Sequence, residues 1–401
     1  MRAQLPVVFI LITVVLDAMG IGLILPVMPD LIQEVRGAGL ANAAIWGGIL
    51  STTFAVMQFL FGPMIGNLSD RFGRRVVLLT SLAVMAADYL VMAVAGSIWL
   101  LVIGRIVGGI TAATHSTALA FMSDINPPEK RGQAFGMISA AFGIGFVLGP
   151  AIGGFLGELG TRAPFYAAAA LAAANLVLGY FVLPETLKPE NRRTFQLRRA
   201  NPFSAFKAIL AFPDLTRLVI VFFLYSLSFN VYPAVWAYYT QAQFQWDSRM
   251  IGISLTVYGI SMAVVQGGLI RVALNRLGER RTILMGFGFA ALSFIWLTVL
   301  QNGAVMMTLI PISALAAMAT PALQGLMSRD TAADAQGELQ GMLSSVQALA
   351  MIVSPLLMTG VFAAFTRDGA AVYLPGAPFL ASFLLVLAAF AIFRGRKRRA
   401  A

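Results

Sequence analysis

A chain of 401 residues could hold two or three water-soluble domains, yet 59% of it is hydrophobic and only 11% is charged, with a mean hydropathy of +0.83. Soluble chains carry roughly 25% charged residues. Here the apolar residues fall in runs of about twenty, the length that crosses roughly 30 Å of hydrocarbon, so a water-soluble globule is excluded. The net charge of +11 is scattered between those runs instead of forming one aromatic-laced stripe, which argues against a nucleic-acid partner. With no cysteine and one histidine, disulfides, thiolate chemistry and multi-histidine metal sites are excluded as well.

In chain order the apolar runs predict twelve membrane helices. The first six run from Leu5 to Val27, Ala44 to Ile65, Val76 to Ala95, Ile98 to Phe121, Gln133 to Gly157 and Ala163 to Leu183. The second six run from Leu215 to Tyr239, Met250 to Leu274, Thr282 to Leu300, Ala304 to Met327, Gly341 to Phe365 and Tyr373 to Phe393. The first run is too long for a signal-peptide core, carries Asp17 in its middle and lacks a small-x-small cleavage site, so it is kept as a helix. With the N-terminus placed inside, 23 of the 28 Lys and Arg residues fall in inner segments and only Arg36, Arg162, Arg249 and Arg367 in outer loops. That asymmetry predicts cytoplasmic termini and makes the basic tail from Arg394 to Arg399 a membrane anchor.

Two stretches repeat. Gly132-Gln133-Ala134-Phe135-Gly136-Met137 returns as Gly337-Glu338-Leu339-Gln340-Gly341-Met342, and Ser139 and Pro150 return as Ser344 and Pro355, always 205 residues later. The same shift relates Met122-Ser123 to Met327-Ser328, and Arg71, Gly73, Arg75 to Arg276, Gly278, Arg280. One offset across separated loops predicts an all-α integral membrane protein of two parallel six-helix bundles, residues 1–183 and 215–401, joined by a polar cytoplasmic linker over residues 184–214. Parallel halves of this kind suit a transporter that binds its substrate near the midplane and alternates access.

Charges inside hydrocarbon carry the chemical signal. Asp17, Asp88 and Arg105 lie within predicted spans, with His115 further along the span of Arg105. A central Asp or Arg costs about 2.5 to 3.5 kcal/mol on insertion scales, so its retention points to an inward-facing partner or a polar pathway. Asp17 shares a helical face with Thr13 and Gly20 and maps onto apolar Phe222, so the second bundle does not duplicate it. Desolvation disfavours the ionised form of a carboxylate, and binding a cation shifts its protonation equilibrium; that is how a proton is exchanged for cargo. Arg105 begins a small-residue face with Gly108, Gly109 and Ala112, while Asp88 is open to pairing with it or to a polar helix contact. His115 is either a proton relay or a packing histidine among Thr111, Thr114 and Ser116.

Motifs sharpen the reading. Gly66-Asn67-Leu68-Ser69-Asp70-Arg71-Phe72-Gly73-Arg74-Arg75 closely resembles the signature loop of the major facilitator superfamily. The resemblance implies that Asp70, with Arg71, Gly73 and Arg74, latches the two halves in one state. Gly145-x-x-x-Gly149-Pro150-x-x-Gly153-Gly154 is similar to that superfamily's drug/proton antiporter motif, and Arg105 to Gly109 to its proton-transfer motif. Leu16-Asp17-Ala18-Met19-Gly20-Ile21-Gly22-Leu23, Pro26 to Pro29, Pro321 to Gly325 and Gln336 to Gly341 look like segments of the bacterial tetracycline/proton antiporters. That likeness implies export of a metal-chelated drug in exchange for protons, with Asp17, Asp70, Asp88 and Arg105 at matching functional positions. Met262 and the uncharged stretch from Gly286 to Leu292 depart from the family's histidine and acidic residue, so a related multidrug or small-metabolite antiporter stays open.

Tyr225, Asn230, Tyr232, Trp236, Tyr258, Gln266 and Gln324 are candidates to line a cavity for a flat amphipathic drug, together with Asp17. With the bacterial inner membrane implied by the resemblance alone, the expectation is a monomeric, proton-driven secondary antiporter, with no enzymatic activity and no cofactor of its own. A divalent metal travels only with the drug, and the partners are drug, protons and bilayer. No GxxxxGK[ST] loop is present, which disfavours an ATP-driven pump in this chain. The rival readings are a membrane-embedded lipid enzyme, which needs clustered acids or nucleophiles at one leaflet, and a scaffold or receptor.

Overall fold

The computed structural model describes residues 5–112, 114–194 and 215–395. Among these every regular element is helical, as a bilayer demands: without water in the hydrocarbon, a spanning segment must satisfy its own backbone groups. Eleven helical segments among the described residues are long and apolar enough to span. One of them, Ser248–Val299, has 52 residues, about 78 Å at 1.5 Å per residue, too long for one crossing. It turns at Gly278, whose φ of 74° no α-helix accommodates, and so supplies two spans.

The twelve spans are α1 (Leu5–Ile24), α2 (Leu40–Phe72), α3 (Arg74–Val94), α4 (Ile98–Thr111 with Thr114–Ile125), α5 (Arg131–Glu158), α6 (Ala163–Val182), α7 (Thr216–Phe244), α8 and α9 (the two limbs of Ser248–Val299), α10 (Gly303–Arg329), α11 (Gln336–Thr366) and α12 (Ala377–Arg394). Several boundaries differ from the sequence expectation. The first span stops at Ile24, and the next residues turn into a separate helix, Met28–Arg36, with Pro29 in its first turn and Gly37 closing it at φ 60°. Polar caps set other starts: Ser97 accepts from the N–H of Leu100, Asn302 from Ala304 and Val305, and Asp247 from Met250. Three spans in the second half are irregular. α7 is interrupted at Asn230, α8 contains a π-helical turn at Val265–Leu269, and α10 passes through a 3₁₀ turn at Leu315–Met318, just after Pro311.

The chain forms two compact units. The first comprises the described residues of Met1–Gly37, Thr53–Pro202 and Asp247–Thr256; the second comprises those of Ala38–Thr52, Phe203–Trp246 and Val257–Ala401. Each unit follows one repeat, but the start of α2 belongs with the second and the start of α8 with the first. Linker residues 195–214 and the tail residues 396–401 lie outside the described residues.

In the first unit Phe9, Ile10 and Val14 of α1 are buried against Leu78 and Leu82 of α3, Phe121 of α4 and Ile138 of α5. The second unit buries aromatics instead, with Tyr225, Tyr239, Phe287, Phe294 and Phe379 fully enclosed and Tyr239 meeting Phe379 edge-on at 4.8 Å. Trp99, Leu159 and Phe181 stand on the outside, Phe181 at 79% exposure. Such side chains are natural against acyl chains, which are as apolar as the core, so small residues rather than a hydrophobic drive bring the helices together.

The glycine stripe of α5 shows this. A Cβ at Gly145 would collide with the carbonyl of Val15, one at Gly149 would lie 2.6 Å from the carbonyl of Met19, and one at Gly153 would run into Leu23. α1, which carries Asp17, is thus held backbone to backbone against α5. In the second copy Ser354 and Leu227 occupy the places of Gly149 and Gly22, and the Ser354 hydroxyl donates to the Leu227 carbonyl at 3.1 Å. A hydrogen bond there replaces bare glycine contact. Gly149→Ala is expected to destabilise the protein by about 1–3 kcal/mol through overpacking, seen as a lower midpoint in detergent thermal unfolding. Gly143→Ala, where an added Cβ meets nothing within 4 Å, is expected to leave that midpoint in place.

Candidate functional site

In the first unit the structure brings Asp88 and Arg105 together. Arg105 Nη2 of α4 donates to Asp88 Oδ2 of α3 at 2.5 Å, with the two residues only 9% and 7% exposed. Two glycines one helical turn apart make the room. A Cβ at Gly104 would lie 2.6 Å from Asp88 Oδ1, and one at Gly108 would lie 2.7 Å from Oδ2. The guanidinium also lies over the Phe54 ring of α2 at 5.2 Å. Gly109 lets α2 approach, since a Cβ there would lie 2.6 Å from the Phe54 carbonyl. Asp88 Oδ1 and Arg105 Nε have no hydrogen-bond partner among the described residues. Two charges in low dielectric hold each other strongly, and removing either strands the other.

Asp17 belongs to no ion pair among the described residues, and the Thr114 hydroxyl of α4 faces its carboxylate. One turn earlier on α1, the buried Thr13 donates to Asn175 Oδ1 of α6 at 3.2 Å. Tyr89, buried and next to Asp88, is within electrostatic reach of Asp17, Asp88 and Arg105, and its hydroxyl packs where a side chain at Gly20 would go. Sequence reasoning missed Tyr89 and Asn175. Gly20 on the face of Asp17 was the available sign that a bulky partner closes in there. His115, next to Thr114, is exposed, and its ring meets Phe142 of α5 edge-on at 5.6 Å.

The Asp70 loop forms a compact polar knot. Gly73 takes φ 105°, a backbone that side chains rarely adopt, so the chain reverses between α2 and α3. Arg74, buried, reaches Asp70 at 2.6 Å, Asp124 at 3.1 Å and the Ser69 hydroxyl at 3.1 Å. Arg71 instead points outward, over the Phe72 ring at 5.1 Å.

The candidate drug-binding set of the second half divides. Tyr232 and Tyr258 stack at 5.5 Å, and Phe294, Phe379 and Trp236 surround Tyr232, whose buried hydroxyl has no hydrogen-bond partner among the described residues. The Tyr258 hydroxyl is likewise buried without a partner among the described residues. Tyr225 is fully buried and donates to the Ala316 carbonyl at 2.5 Å in the 3₁₀ turn of α10. Asn230 donates to the Ser226 carbonyl at 2.7 Å at the break in α7. Gln324 is half-buried on α10, Gln266 is exposed on the π turn of α8, and Met262 is half-buried one turn before it. Among the described residues no three His, Cys, Asp or Glu side chains gather into a metal site.

The sequence matches the model of the Major Facilitator Superfamily over residues 10–355 and 218–399. It is 40% identical over 388 residues to a tetracycline resistance protein, class C, from Escherichia coli, covering 95% of this chain and 97% of that one. It is 35% identical to the class B protein of the same organism, covering 88% and 87%. Among solved structures, the human organic anion transporter MFSD10 aligns with a TM-score of 0.70 at 25% identity over 98% of this chain and 99% of that one. The D-xylose-proton symporter shares the fold at a TM-score of 0.75 and 17% identity, covering 98% of each chain. The chain thus belongs to the major facilitator superfamily, as a non-enzymatic secondary transporter of the class that its tetracycline resistance relatives represent.

Proposed function

We propose that this protein exports tetracycline, carried as a divalent-metal chelate, in exchange for protons across the bacterial inner membrane with both termini cytoplasmic. The observation that carries the reading is the arrangement around α1. Asp17 faces a neutral hydroxyl, Thr114, while the permanent cation Arg105 is engaged by Asp88. A carboxylate without its own arginine can take a proton or a cationic drug complex in turn. The names of the relatives at 35% and 40% identity support the cargo class. Each elementary charge moved down the potential yields about 2.3 kcal/mol per 100 mV, so no nucleotide is needed. The divalent ion belongs to the cargo, and the protein acts as a monomer.

In this scheme Asp17 exchanges proton for drug, and Asp88 with Arg105 sets the local field. The Asp70 loop latches the cytoplasmic side, while the Tyr232 and Tyr258 rings offer flat apolar faces to a polycyclic drug. Everted membrane vesicles energised by a proton gradient test the reading. Uptake of tetracycline is expected with magnesium present and is expected to fall sharply when the metal is chelated. Equal uptake by vesicles lacking the protein would contradict the assignment, and uptake indifferent to metal would point to the multidrug alternative.

A further inference from the structure

The segment leaving α6 folds back onto the Gly73 turn. Glu185 accepts from the Arg74 N–H at 2.9 Å through Oε1 and from the Arg75 N–H at 3.2 Å through Oε2, and Oε1 also takes the Leu187 N–H at 3.0 Å. The amides of Arg74 and Arg75 begin α3, where no carbonyl of the helix can reach them, and the residue before them, Gly73, has no side chain with which to cap. The carboxylate sits where that side chain would be, because a Cβ on Gly73 would collide with Glu185 Oε2.

Neighbouring residues add further ties. The Thr186 hydroxyl donates to Asp124 at 3.4 Å, and the Arg193 N–H donates to the Asp70 carbonyl at 3.1 Å. Arg75 donates to the Tyr180 carbonyl at 2.6 Å and lies over the Tyr180 ring. The start of the linker is therefore strapped to the same loop in which Arg74 joins Asp70 and Asp124.

The second repeat keeps the turn but not the carboxylate. At the shift of 205, Glu279 stands in the place of Arg74 and Arg329 in that of Asp124, and the two pair at 2.9 Å with their signs reversed. Glu185 maps onto Phe390, an apolar residue within α12. A carboxylate needed merely to close such a turn would be present in both copies. We propose that Glu185 is a positioning residue of the Asp70 latch: by capping α3 it fixes the backbone from which Arg74 reaches its two aspartates, and it ties that latch to the linker between the repeats. The proposal rests on reading the loop as a latch, and Glu185 itself touches neither drug nor transported proton.

Hydrogen–deuterium exchange on the purified protein, paired with vesicle transport, tests it. In Glu185→Ala, exchange at the amides of residues 74–77 is expected to rise about tenfold, the scale of losing a helix cap, while the amides of residues 279–282 stay as they are. The maximal tetracycline transport rate is expected to fall severalfold with the half-saturating drug concentration unchanged. Glu185→Gln keeps one acceptor oxygen but sets an amide NH2 against the other backbone N–H, so it is expected to show a smaller loss of the same kind in both measurements, and it serves in place of the alanine variant should that fail to fold. Unchanged exchange overturns the cap; raised exchange with unchanged transport overturns the positioning role. A wild type that moves no tetracycline overturns the drug reading instead and leaves the exchange comparison to decide the cap.

Discussion

Asp17→Asn is expected to reduce proton-driven tetracycline uptake to the level of vesicles lacking the protein while leaving the thermal unfolding midpoint close to that of wild type. The two expectations come from the same geometry. Asp17 faces the Thr114 hydroxyl and belongs to no ion pair among the described residues, so asparagine, of nearly the same size, keeps an acceptor oxygen toward that hydroxyl. It cannot take up or give back a proton, which is the step the exchange of cargo for proton requires. Thr114→Val removes the donor without touching the acid. That variant is expected to weaken transport without eliminating it.

Arg105→Ala is expected to have the opposite signature, lost stability as well as lost transport. Breaking a buried ion pair by removing one partner costs about 3–5 kcal/mol, because the remaining charge stays in low dielectric. Asp88 is only 7% exposed and fits against Gly104 and Gly108, so it has little room to turn toward water. The double variant Asp88→Asn with Arg105→Gln removes both charges and is expected to regain much of that stability while remaining transport-deficient. The cycle separates the pair's structural contribution from its role in coupling. Arg105→Lys keeps the charge but loses the planar face over Phe54, and an intermediate stability is expected.

Much of this fold could be read from the sequence because bilayer physics leaves few choices. Runs of about twenty apolar residues must be helices, and the shift of 205 ties Gly73 to Gly278, both of which take positive φ where the chain reverses. The boundary between the units was less legible: the starts of α2 and α8 each belong with the other repeat's unit, a matter of long-range packing that no local pattern encodes. The π turn in α8 and the 3₁₀ turn in α10 depend on neighbouring helices in the same way.

For the site, intramembrane charge alone picked out Asp17, Asp88 and Arg105, since retaining such groups in hydrocarbon is energetically demanding. Whether Asp88 pairs with Arg105 needed the three-dimensional arrangement, which shows it. In the same arrangement the His115 ring meets Phe142 edge-on. Glu185 escaped notice because it sits in a polar segment where a carboxylate is unremarkable by composition. Its meaning appears only when the bare amides of α3 and the vacant side of Gly73 are seen beside it. Among the aromatic candidates, stacking set Tyr232 and Tyr258 apart from Tyr225, whose hydroxyl is bound to the Ala316 carbonyl.

The central claim is that one carboxylate on α1 alternates between proton and cargo. Its most direct test is the pH change when magnesium–tetracycline is added to the detergent-purified protein in weakly buffered solution. Wild type is expected to release protons in proportion to drug bound, and Asp17→Asn to bind without that release. Equal proton release from both would contradict the account.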